Sequence, residues 1–205
     1  MTNKVYVVDH GVGNTVAIMN LLRRLGYPAE KVQSIQTLRD RDISKSKFIL
    51  PGVGSFDAGM NSLNQSGLSE LLSEHARAGG HIFGMCLGMQ LLLDSSEEGT
   101  SPGLGIIPGR LIRLPNTNGH RVPHVGWERI EISKSDPIFT GISKFRFYHN
   151  HSYAIPSPSK YELAVIDHSN RYVVAMRRNN VVGVQFHPEK SHTDGQRIFV
   201  NFLGQ

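Results

Sequence analysis

Apolar residues recur at two different periods along this chain. In the first half, short β-branched runs alternate with segments whose apolar residues return every three or four positions. Lys4 to Asp9 is such a run; it stops at a glycine turn (His10, Gly11, Val12, Gly13, Asn14), after which Val16, Met19 and Leu22 predict a helix ending near Gly26. Lys47 to Leu50 predicts a buried strand cut off by Pro51, Gly52, Val53 and Gly54. Helical segments over 61–72 and 74–78 follow, then a strand ending at Ile82 and Phe83, then a helix carrying Leu87, Leu91 and Leu92. Strands that alternate with helices are joined by crossovers, so this half predicts a mostly parallel sheet with flanking helices.

Past a polar, glycine-rich connection over 95–105 the helical period almost disappears. Runs at 110–114, 129–132, 162–166, 172–176 and 181–186 predict strands, and Asn179-Asn180 between the last two is a hairpin signal. A final helix over about 193–203 has Ile198, Phe199, Phe202 and Leu203 on its apolar face. The fold class is therefore α/β with antiparallel β added in the second half, and 205 residues suit one domain spanning 1–205.

Composition narrows the setting. With 39% hydrophobic and 19% charged residues the chain reads as an ordinary globular protein. Residues Met1 to Lys4 lead straight into a strand without the apolar segment of a signal peptide, which predicts a cytoplasmic protein. A single cysteine, Cys86, excludes an internal disulfide. The net charge of +5 is spread among acids, as in Arg39-Asp40-Arg41-Asp42, with no basic stripe or stacking aromatics, so nucleic acid is not an expected partner.

Chemistry concentrates at three places. Gly84-Met85-Cys86-Leu87-Gly88 sits where a strand turns into a helix, the cysteine form of a nucleophile elbow: the glycines allow close packing around a strained turn, and the helix start favours a thiolate. Pro51 to Gly54 sits at a strand end, where freed backbone amides could form an oxyanion hole. His187-Pro188-Glu189 follows the last strand, where Glu189 could orient His187 as the base a thiol needs. Each feature alone also fits a plainer reading: a buried thiol, a glycine turn, a proline turn.

Pro51-Gly52-Val53-Gly54, Gly84 to Gln90 and Val184 to Ser191 resemble, in order, the three motifs of class I (triad) glutamine amidotransferases. Within them, the segments 9–14, 122–127 and 151–153 are similar to the glutaminase-subunit family of imidazole glycerol phosphate synthases. The resemblance implies a flavodoxin-like fold, no cofactor, and hydrolysis of glutamine to glutamate and ammonia. Cys86, His187 and Glu189 would be catalytic, and backbone amides at Val53 and Leu87 would form the oxyanion hole. Gly52, Gly54, Gln90, His151 and Ser152 would hold the substrate. It also implies a heterodimer with a (β/α)-barrel cyclase that uses the ammonia to make imidazole glycerol phosphate and an aminoimidazole carboxamide ribotide in histidine biosynthesis. Pro123, Trp127 and Lys190 would face that partner, and the Pro51–Gly54 loop would be the element the partner's ligand activates.

Two places depart from the pattern. His10 stands where the family usually has tyrosine, and His149-Asn150 stand where apolar residues are common. His149 and His151 share a strand face, but no third ligand is evident in the sequence, so no metal is expected. The segments 55–60 and 189–192 are also similar to a paralogous amidotransferase subunit that supplies ammonia for amidino-sugar formation in bacterial surface polysaccharides. A cysteine peptidase or a non-catalytic regulatory module would be more distant alternatives.

Overall fold

The computed structural model describes residues 4–205 apart from 12, 40 and 118. Met1, Thr2 and Asn3, on which the leader reading rests, and Val12 and Asp40, named in the glycine turn and the mixed-charge stretch, lie outside the described residues. No helix among the described residues is long and apolar enough to cross a membrane.

Strands and helices alternate through the first half: β1 (Val5–Val8), α1 (Thr15–Arg24), β2 (Ala29–Val32), β3 (Lys47–Leu50), α2 (Phe56–Gln65), α3 (Leu68–Arg77), β4 (His81–Met85) and α4 (Leu87–Leu91). Strands dominate the second: β5 (Ser95–Ser96), β6 (Arg110–Arg113), β7 (His124–Arg129), β8 (Glu131–Ile132), β9 (Arg146–His151), β10 (Tyr153–Pro156), β11 (Glu162–His168), β12 (Asn170–Arg178) and β13 (Val181–Val184), before α5 (His192–Leu203). The main sheet runs β2-β1-β3-β4-β13-β12-β10-β6-β5, with β11 against β12 and β8 against β11. Neighbours from β2 to β13 are parallel; β12 and β10 continue the sheet antiparallel. β7 and β9 form a separate antiparallel ribbon.

Both faces of the parallel region are covered, as the unbroken apolar strands require. Alternation along β1 sends Val5 and Val7 to one core, with Ile18 and Leu22 of α1 and Phe199 and Phe202 of α5. Tyr6 and Val8 face the other core, with Met60, Leu72 and Leu91 of α2, α3 and α4.

The elements depart from the sequence pattern in a few places. The helical break lies at Ser66-Gly67, with Gly67 at φ +72°, because the apolar repeat runs on through Leu63, Leu68 and Leu71 and conceals a turn made by backbone alone. The 129–132 run divides between β7 and β8, and the edge strand β2, with only Val32 buried, has too little apolar pattern to announce itself. The predicted hairpin is present: Arg178 pairs with Val181 across Asn179, at φ +53°, and Asn180.

What matters for chemistry is that β13 returns between β4 and β12, parallel to β4, with Val184 opposite Met85. Both strands deliver their carboxyl ends to the same sheet edge, where ligands of open α/β sheets bind.

Candidate active site

Cys86 follows β4 and has φ +51° and ψ −113°, a backbone state that costs a non-glycine residue about 1–3 kcal/mol. The close packing around it explains its two glycines. A Cβ at Gly84 would lie 2.7 Å from the Gly88 carbonyl oxygen, and one at Gly88 would overlap the carbonyl oxygen of Leu50. The Cys86 N–H donates to the Val184 carbonyl at 2.9 Å, tying the elbow to β13. Its thiol lies 3.8 Å from the Asn150 carbonyl oxygen and 3.9 Å from Gln185 Nε2.

Beyond β13, His187 is held on both sides. Its N–H donates to the Tyr148 carbonyl at 2.8 Å, and its own carbonyl accepts from the buried Ser191 hydroxyl at 2.6 Å. Nδ1 lies 2.9 Å from Glu189 Oε1, which can only accept while ionised, so the proton sits on Nδ1. Nε2 has no hydrogen-bond partner among the described residues. Burial alone would lower the imidazole's pKa, but Cys86 and then Glu189 outweigh it and push it up to about 10.

A cavity of about 260 Å³ opens beside Cys86. It brings together Val53, Gly54, Leu87, Gln90, His151 and Ser152 of the predicted site, and also Pro123, which sequence resemblance places at a partner face. Gly52 lies just behind: a Cβ there would lie 3.0 Å from Leu87 Cβ and 3.1 Å from His10 Nε2. His10 is buried and its Nε2 donates to the Pro51 carbonyl at 2.6 Å, which fixes that end of the glycine loop. Gln90 directs its amide inward, donating to Gln185 Oε1 at 3.1 Å.

Glu98 also lines the cavity, accepting the Phe56 N–H at 2.8 Å. Sequence reasoning missed it because it falls in the polar connection after the elbow helix, where nothing local marks it. Gln185, wholly buried between Gln90 and Cys86, was part of a motif but carried no assigned role.

Trp127 and Lys190 stand apart from this cavity. The Trp127 indole stacks on His192, centroids 4.9 Å apart and planes 7° apart, and meets the edge of Tyr148, over which Lys190 Nζ sits at 5.3 Å. Trp127 and His192 border a larger cleft of about 530 Å³ with Lys144 and Arg146. Trp127 is half-buried there and belongs to neither apolar core.

The pairing of β7 with β9 also sets His124 opposite His151, which supplies the third imidazole missing from the sequence reading of His149 and His151. Burial keeps all three uncharged near neutrality, with His124 lowered to about 4, His151 to about 3 and His149 well below its ordinary value.

The family model for class-I glutamine amidotransferases matches residues 6–205. A Pseudomonas aeruginosa protein named imidazole glycerol phosphate synthase subunit HisH 2 is 40% identical over 202 residues, 97% of this chain and 98% of that one. An Arabidopsis thaliana protein named imidazole glycerol phosphate synthase hisHF, chloroplastic, is 38% identical over 97% of this chain and 34% of its own length. A crystal structure described as a glutamine amidotransferase superposes with a TM-score of 0.73 at 22% identity, covering 98% of this chain and 97% of that one, which is a likeness of fold.

Proposed function

The chain belongs to the class-I glutamine amidotransferases, and we propose that it is the glutaminase subunit of an imidazole glycerol phosphate synthase, with Cys86, His187 and Glu189 as its catalytic triad. The observation that carries this reading is the convergence of a strained cysteine elbow and a carboxylate-oriented histidine on the ends of adjacent parallel strands.

The Cys86 thiolate attacks the side-chain carbonyl carbon of glutamine, and the oxygen becomes an oxyanion. Leu87 begins α4, so its N–H has no intrahelical acceptor and is free for that oxygen; the second donor is the Val53 N–H. Each such donor is worth on the order of 3 kcal/mol. Collapse breaks the C–N bond as protonated His187 gives its Nε2 proton to the departing nitrogen, leaving ammonia and a thioester. Neutral His187 then takes a proton from water, hydroxide adds to the thioester, and glutamate leaves as the thiol is restored. Glu189 keeps the Nδ1 proton in place, so Nε2 is always the nitrogen that exchanges protons with the reaction.

Glu98 offers a carboxylate to the α-ammonium of the substrate, and the backbone around Gly54, His151 and Ser152 binds its α-carboxylate. Gln90 shapes the pocket through Gln185. Ammonia released into water is mostly protonated and loses its nucleophilicity, so the product has to pass directly to an acceptor enzyme. That enzyme is a HisF-type (β/α)-barrel cyclase, seated over the cavity as a heterodimer in the cytoplasm, with Trp127 and Lys190 as anchors. The joined name of the Arabidopsis relative supports this partner.

The test is glutamate release from glutamine, measured with and without a HisF-type cyclase and its nucleotide ligand. Activity is expected to rise in the complex, and Cys86→Ala is expected to lower it by about 10⁴-fold or more. Undiminished hydrolysis by Cys86→Ala would sink the assignment.

A further inference from the structure

At the wall of the cavity that His151 helps to form, three imidazoles cluster whose side chains have no part in the glutamine hydrolysis described above. The ligand-competent nitrogens of His124, His149 and His151 all lie within 4.8 Å of one another, and all three residues are buried. His124 Nδ1 and His151 Nε2 are 3.4 Å apart. Two imidazole nitrogens bound tetrahedrally to one zinc ion stand ~3.3 Å apart, given bonds of 2.0–2.1 Å.

The protonation of the rings is set for coordination. His151 Nδ1 faces the Tyr153 carbonyl at 2.9 Å; a carbonyl only accepts, so Nδ1 carries the proton and Nε2 presents its lone pair to His124. A ring nitrogen anchored to a backbone carbonyl is the usual way a metal-binding imidazole is oriented. His149 is completely buried, and neither of its ring nitrogens has a hydrogen-bond partner among the described residues. Hydrogen bonding therefore does not account for placing a histidine there, whereas an ion would engage one of those nitrogens.

We propose that His124, His149 and His151 bind one divalent transition-metal ion of the zinc class, which clamps β7 to β9 beside the Cys86 cavity. Three neutral imidazoles suit zinc and its neighbours in the transition series, whereas magnesium and calcium take oxygen ligands. Three protein ligands leave one position of a tetrahedral ion for a small exogenous ligand. β9 carries His149 and His151 on one face, while the backbone of Asn150 between them contacts the Cys86 thiol, so the clamp fixes a strand that the nucleophile touches. The proposal does not depend on the glutaminase reading.

The experiment uses the full chain after chelator treatment, titrated calorimetrically with zinc chloride and spectroscopically with cobalt(II). Wild type and Cys86→Ser are expected to bind one ion per chain, and cobalt(II) to give visible d–d absorption with imidazole ligands. His149→Phe and His124→Asn are each expected to weaken binding by about 100-fold or more, since one of three ligands is gone. Cooperative unfolding of each variant confirms that it is folded, and zinc is expected to raise the melting temperature of wild type but not of His149→Phe. Undetectable binding by wild type, unchanged binding by folded His149→Phe, or loss of binding in Cys86→Ser would overturn the proposal, the last by placing the ion on the catalytic pair.

Discussion

Gly88 has no freedom to carry a side chain, because the carbonyl oxygen of Leu50 occupies the space where a Cβ would go. Gly88→Ala must push α4 away from β3, and is expected to cost about 3 kcal/mol in urea unfolding. Since the same shift moves Leu87 off the cavity, activity should fall in the protein that remains folded. The cysteine elbow was legible in the sequence for this reason: strand, cysteine and helix can crowd together only with glycines at those positions. Glu98 was not legible. Its place on the cavity wall depends on a bond to the backbone of Phe56, 42 residues away, and a lone carboxylate in a polar stretch gives no sign of it.

Among the elements, α5 is fixed by a residue whose type alone suggests the surface. Lys47 is buried, and its Nζ donates to the carbonyls of Phe202 and Leu203, at 3.3 Å and 2.7 Å, and to that of Gln205. The first two of these carbonyls lie in the last turn of α5, where a cation is favoured by both hydrogen bonding and the helix dipole. Lys47→Met keeps the stem and leaves the carbonyls unpaired, so a loss of about 2–3 kcal/mol in chemical denaturation is expected. The apolar face of α5 was readable from its period, but its cap was not, because Lys47 lies at the start of a distant strand. The β7–β9 ribbon was hidden for a similar reason. Its two strands mix histidine, aromatic, polar and charged residues without an apolar run, and only the register that sets His124 against His151 shows what those histidines share.

At the scale of the whole molecule, the buried histidines set the response to acid. His124, His149 and His151 have folded pKa values below the usual 6.5, through burial first and then through neighbouring imidazoles: His168 and His120 for His124, and chiefly His151 and His124 for His149 and His124 for His151. The unfolded chain takes up protons below about pH 6.5 that the folded one refuses until about pH 4 for His124 and about pH 3 for His151, so stability falls as pH drops through that window. His187 acts in the opposite sense: its contribution is full below pH 6.5 and is lost as pH rises toward about 10. Melting temperatures between pH 7 and pH 4 are expected to decline steeply in wild type and less steeply in His149→Phe; equal slopes would show that His149 takes no part. The parallel half of the fold was legible because β1, β3 and β4 each carry a short run of apolar residues, whereas strand order was not, since no local pattern reveals that β13 inserts between β4 and β12. With the triad proposed above, that insertion governs when the protein can become reactive. The thiol is made right after β4, but the imidazole proposed to activate it and the serine that holds that imidazole follow only after β13, so a nascent chain that has emerged no further than α4 carries an unassisted thiol. Under the proposed triad, turnover begins only when β13 docks beside β4, and its onset during refolding is expected to report completion of the sheet.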